Sequence, residues 1–88
     1  MERTVTIVNK LGLHARAAAR LVTTASKFVS DIRLRRGNRE VSGKSIMGVM
    51  MLAAGIGAQI TLIAEGADAT QALDALAALV ADRFGEEA

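Results

Sequence analysis

The chain carries one histidine, His14, and Arg16 stands two positions on, within the stretch GLHARAAARLV at residues 12–22. A neutral imidazole is a nucleophile able to attack phosphorus, and a guanidinium is a permanent cation whose planar fork suits phosphate oxygens. The alanines that follow read as a helix, which puts the pair where a helix begins. There the first backbone amides lack partners and, with the macrodipole, form an anion site that disfavours the imidazolium. These groups together can take up a phosphoryl group, hold its oxygens without a metal or nucleotide pocket, and release it again. Taken alone, a histidine here is equally accounted for by capping the helix or packing against Leu11 and Leu13. The neighbouring arginine and the helix start favour the chemical reading.

Other chemistries find little support. The absence of cysteine removes disulfides, thiolate metal ligands and cysteine nucleophiles, and a single histidine gives a zinc site no ligand set. No nucleophile elbow accompanies His14, as a Ser-His-Asp triad of the hydrolase type requires. Residues 37–45, GNREVSGKS, imitate a phosphate-binding loop, but five residues separate Gly37 from Gly43 where that loop has about four. Ile46 occupies the place of the second glycine in a GXXG RNA clamp begun at Gly43. Arg33, Arg35, Arg36 and Arg39 form a basic cluster, yet Phe28 and Phe84 are the only aromatic residues, so a base-stacking platform is missing. These arginines are expected on a solvated sheet face, with no nucleic-acid partner.

The elements that must position His14 and Arg16 follow from periodicity. Thr4–Ile7 alternates polar and apolar as a half-buried strand does, and Asn9–Gly12 supplies turn residues. Ala18, Leu21, Val22, Ala25 and Val29 mark one face of a helix from Ala15 to Phe28. Asp31–Arg36 and Arg39–Ser42 read as a hairpin turning at Gly37-Asn38. Ser45 is placed to cap a short helix from Ile46 to about Ala53, ended by Gly55 and Gly57. Gln59–Glu65 is a fourth strand with Ile60, Leu62 and Ala64 inward. Asp68 and Gln71 suggest a capping box, with Leu73, Leu76, Ala77, Val80 and Phe84 as the stripe of a third helix. The order strand, helix, strand, strand, helix, strand, helix predicts an α+β fold with helices layered on one face of an antiparallel sheet.

With 88 residues, of which 51% are hydrophobic, the chain is expected to form a single domain over residues 1–88. The opening MERTVTIVNK lacks the apolar core of a secretory leader, and Ile46–Ala58 is too short to cross a bilayer. The expectation is a cytoplasmic protein with no membrane partner.

Two long stretches, GLHARAAARLV and VSGKSIMGVMMLAAGIGAQI, resemble the two signatures of the histidine-containing phosphocarrier (HPr) family of the bacterial phosphotransferase system, at the spacing of His14 and Ser45 that family shows. The resemblance covers nearly the whole chain. It implies an open-faced β-sandwich in the order βαββαβα, a four-stranded antiparallel sheet with three helices on one face. It implies that His14 accepts a phosphoryl group on Nδ1 from enzyme I, that Arg16 contacts the phosphate, and that IIA domains receive the group. Such a carrier is not an enzyme, since partners consume and regenerate its histidine, and no cofactor is expected. By the same resemblance a dedicated serine kinase acts on Ser45 in some members, and Ile46, Met47 and Met50 belong to a docking patch on a protein that works as a monomer. From composition alone, Met50 and Met51 suit core packing as well as a surface. The downstream branch is either sugar uptake or a nitrogen-type regulatory system. One departure stands out: Ala17 occupies a position where members commonly carry proline, a substitution that frees φ at the helix start.

Overall fold

Gln59–Glu65 buries every second residue, Ile60, Leu62 and Ala64, and is bounded on both sides by partners. The computed structural model describes residues 1–88. In chain order the elements are β1 (Glu2–Thr6), α1 (Ala15–Ala25), β2 (Asp31–Arg36), β3 (Arg39–Ser42), α2 (Ile46–Met51), β4 (Gln59–Glu65) and α3 (Ala69–Ala81), with a 3₁₀ turn at Arg83–Gly85. The sheet order is β1-β4-β2-β3 with every pairing antiparallel. Val5 lies opposite Ile60 in β4, and Leu34 opposite Leu62. The expected βαββαβα order and open sheet are therefore observed.

Ile32, Leu34, Ile60, Leu62 and Ala64 share one cluster of 20 buried residues with the inward faces of the helices. Each large aliphatic side chain buried there contributes about 1.5–3 kcal/mol. In α1 the buried face is Ala17, Ala18, Leu21 and Ala25, three of them too small to hold the helix away from its neighbours. Asp31, Arg33 and Arg35 point to the opposite face, where Arg33 pairs with Asp31 at 3.2 Å and Arg35 with Glu2 at 3.2 Å.

The first strand spans Glu2–Thr6 rather than Thr4–Ile7, and the three helices end earlier than the periodicity predicts. Helix α1 stops at Ala25, so Val29 loses the helical phase and stands 81% exposed. Asp68 provides no side-chain cap to α3. Its carboxylate turns to the α1–β2 connection, accepting from the amides of Val29 at 2.9 Å and Ser30 at 3.0 Å and from the Ser30 hydroxyl. These long-range bonds give the Val29 and Ser30 amides partners outside any helix. Gly66 lies so close to Ser30 that a Cβ would approach its Cα to 2.8 Å, which brings Asp68 within reach. At the other end, α3 stops at Ala81, and Phe84 reaches the core from a separate left-handed turn. Helix α2 also ends early, at Met51, and Ala53 rather than a glycine takes the left-handed conformation behind it (φ 51°).

Candidate functional site

His14 is the N-cap of α1, with extended backbone and a ring whose Nδ1 accepts the Arg16 amide at 3.3 Å. The first backbone bond of the helix runs from Ala18 N–H to the His14 carbonyl at 2.8 Å, so the amides of Ala15, Arg16 and Ala17 have no helical partner. Ala17 is fully buried, and unlike proline it keeps its N–H in this set. The Arg16 side chain is exposed and forms no hydrogen bond or ion pair. The helix start thus meets one ring nitrogen, and an unneutralised guanidinium belongs to the same cleft.

The loop before His14 is fixed without proline. Gly12 adopts φ +67° and passes the Ala54–Gly55 backbone so closely that a Cβ would lie 2.4 Å from the Ala54 carbonyl oxygen. The Leu13 amide donates to that same oxygen at 2.9 Å. From the interior, the fully buried Asn9 donates through Nδ2 to the Gly12 carbonyl at 2.8 Å. Ala17 in place of proline therefore leaves a loop pinned at Gly12 and Leu13 rather than a slack one.

Sequence reasoning missed what lies on the other side of the ring. Nε2 of His14 faces the carboxylate of Glu86, whose second oxygen accepts from Asn9 Nδ2 at 3.0 Å. The hydrogen bond from Asn9 above all, then that from His14 and the positive charge of Arg20, hold the Glu86 carboxyl below its ordinary value. Arg20 also donates to the Phe84 carbonyl, tying α1 to the returning tail. His14, Arg16 and Glu86 line an open cleft of about 670 Å³ together with Lys10, Leu11 and Ala88. A tail residue 72 positions from His14 gives no periodic signal; only a pair of acids after the buried Phe84 hints at it.

Ser45 is the N-cap of α2, its Oγ accepting from Gly48 N–H at 3.1 Å, and it lies outside the His14 cleft. Only Val49 of α2 is buried, so Ile46, Met47, Met50 and Met51 all face outward, Met47 at 75% exposure. The arginine cluster is occupied within the fold. Arg36 donates to the carbonyls of Leu52 at 2.9 Å and Ala53 at 3.3 Å, and Arg39 to Met51 at 2.6 Å, neutralising the C-terminal end of α2.

The family described as the PTS HPr component phosphorylation site matches residues 1–82. The chain belongs to the HPr family. It is a phosphocarrier of the phosphotransferase system type, 58% identical over 86 residues to the phosphocarrier protein HPr of Cupriavidus necator, covering 98% of this chain and 97% of that one. It is 50% identical over 86 residues to the phosphocarrier protein NPr of Shewanella violacea, covering 98% of this chain and 94% of the relative. The crystal structure of HPr-C-His from Thermoanaerobacter tengcongensis superposes with a TM-score of 0.96 at 49% identity, covering 100% of this chain and 99% of that one. No helix is long and apolar enough to cross a membrane.

Proposed function

We propose that His14 is the phosphoryl acceptor of this HPr-family chain, taking the group from phosphorylated enzyme I and handing it to IIA domains. The observation that carries this is the placing of Nδ1 at the start of α1, where it accepts the Arg16 amide and shares a cleft with the unpaired Arg16 side chain. The Nδ1 lone pair attacks phosphorus as the bond to the enzyme I nucleophile breaks. Phosphoryl oxygens then displace the weak Arg16 amide bond to Nδ1 and take up the helix-start amides and guanidinium. In the return step a nucleophile of the IIA domain attacks and the Nδ1–P bond breaks. The chain is a carrier rather than an enzyme, because its histidine changes state in every cycle.

Ser45 is the proposed regulatory position and Ile46, Met47 and Met50 the proposed docking surface. Support comes from their exposure at the start of one short helix, since a flexible methionine-rich patch suits unlike partners. Likeness to both HPr and NPr relatives keeps a second reading open, in which phosphorylation state regulates other proteins more than it drives sugar uptake. Incubation with enzyme I and phosphoenolpyruvate followed by intact mass measurement tests the first proposal: one acid-labile phosphoryl mass is expected, and no gain would refute it. Offering the phosphorylated protein to sugar-specific and nitrogen-type IIA domains in parallel separates the branches.

A further inference from the structure

We propose that Met47, Met50 and Met51 form a redox-modification site: peroxide converts their thioethers to sulfoxides, and the oxidised α2 docks poorly on the partners that load and unload His14. The inference rests on the reading of α2 as the docking surface. The chain has no cysteine, so methionine holds all of its sulfur, and three of its four methionines lie between residues 47 and 51. Only Val49 of that helix is buried. Met47, Met51 and Met50 are 75%, 55% and 42% exposed, and none of them belongs to the core cluster. Thioether oxidation follows exposure, so an oxidant in solution reaches these sulfurs directly. Met1, the fourth, is exposed as well but precedes β1, outside α2.

In the forward step a sulfur lone pair attacks the terminal oxygen of a hydroperoxide. The O–O bond breaks as the S–O bond forms, and the departing oxygen takes the proton and leaves as water or an alcohol. Sulfur loses two electrons and the peroxide gains them. Return needs a thiol reductant: the sulfoxide oxygen leaves as water while two thiols become a disulfide. The oxidised side chain carries a strong acceptor where an apolar thioether stood, and a partner's apolar surface can cover it only by stripping its water. The helix itself stays in place, because Val49 keeps its burial, Arg39 holds the Met51 carbonyl, and Arg36 holds those of Leu52 and Ala53. Oxidation therefore acts on association and leaves His14 and the start of α1 untouched. Leucine would offer comparable apolar area without this response, and α2 contains none.

The test treats the full chain with hydrogen peroxide, removes the excess with catalase, and maps the added oxygens by peptide mass before kinetics with enzyme I and phosphoenolpyruvate. Sulfoxide is expected first at Met47, the most exposed of the three. With all three converted, KM for enzyme I should rise about tenfold or more, the order expected for burying an uncompensated polar group, while the maximal rate holds. The two epimer-specific methionine sulfoxide reductases, supplied with a thiol reductant, should return KM to the parent value. In the variant carrying Met47→Leu, Met50→Leu and Met51→Leu, whatever its own KM, peroxide treatment should move nothing although Met1 still oxidises. Sulfoxides mapped to α2 with an unchanged KM, a loss that repair does not reverse, or an equal loss in the leucine variant would overturn the switch. Met47→Gln, a permanently polar side chain of similar length, separates the underlying reading. A raised KM in that variant with no response of the parent to peroxide sinks the switch alone, whereas an unchanged KM in it removes the docking surface as well.

Discussion

Helices α1 and α2 both begin at a residue of extended backbone whose side chain accepts an amide from the first turn. In α1 that acceptor is His14 Nδ1, 3.3 Å from the Arg16 nitrogen; in α2 it is Ser45 Oγ, 3.1 Å from the Gly48 nitrogen. Around α2 the matter ends there, since its far end is neutralised by Arg36 and Arg39 and its sides are apolar. Around α1 the bond is long, a guanidinium stands unpaired, and the second ring nitrogen is held by Glu86. One cap completes a helix, whereas the other occupies a place that a better acceptor can take. Two helix starts of similar backbone differ in the charge left unanswered beside them.

Deleting the α1 cap should have the largest effect on transfer. In His14→Ala the phosphoryl mass from enzyme I should be absent, while the core, which His14 does not enter, keeps the melting temperature within a few degrees. Persistence of one acid-labile phosphoryl group would place the acceptor elsewhere. Arg16→Ala should leave the acceptor and remove part of its electrostatic support, lowering the maximal transfer rate by about 10²-fold, as for a single donor to a developing oxyanion. Single-turnover kinetics with enzyme I distinguish this from weaker docking.

At α2 the same kind of substitution should act on stability. Ser45→Ala removes an ordinary cap and is expected to cost about 1 kcal/mol in urea unfolding while leaving maximal transfer unchanged. Ser45→Asp keeps a cap and places a negative charge at the helix start, a gain of about 0.3–1 kcal/mol. That charge adjoins Ile46 and Met47, so a partner's apolar surface would have to desolvate it, and KM for enzyme I should rise several-fold. A well-folded Ser45→Asp with unaltered kinetics would detach Ser45 and the α2 patch from docking.

Why one of these starts was legible and others were not is a matter of range. Ser45 and Gly48 are three residues apart, so local pattern suffices, as it does for the alternating strand Gln59–Glu65. His14 and Arg16 were readable because both belong to one helix start. Glu86 reaches His14 through a left-handed turn that local periodicity cannot anticipate, and Phe84 looked like the next step of a helix because its burial is real while its backbone is not helical. Asp68 misled for the reverse reason: its type and spacing fit a cap, but the amides of Val29 and Ser30, nearly forty positions away, compete for the same carboxylate.

Asp68 therefore offers a third helix start and the smallest of the expected effects. The Ser30 hydroxyl, then the Val29 amide, outweigh partial desolvation and hold its carboxyl below its ordinary value of 3.8. A carboxylate depressed in the folded state binds its proton more readily when unfolded. Its stabilising contribution is thus complete above the ordinary value and is lost as pH falls through the depressed folded value. Glu86 acts with the same sign, its ordinary value being 4.5, so the parent should weaken progressively on acidification below about that pH. Asp68→Asn keeps one acceptor oxygen but cannot change charge, and it should be less stable than the parent at pH 7. The gap should narrow as the parent's Asp68 becomes protonated, giving the variant a shallower acid limb in urea unfolding between pH 5 and pH 2 (about the range in which carboxylates titrate). Parallel acid limbs for the two proteins would show that the Val29 and Ser30 contacts do not favour the ionised form, and with it the account of why α1 ends where it does would fail.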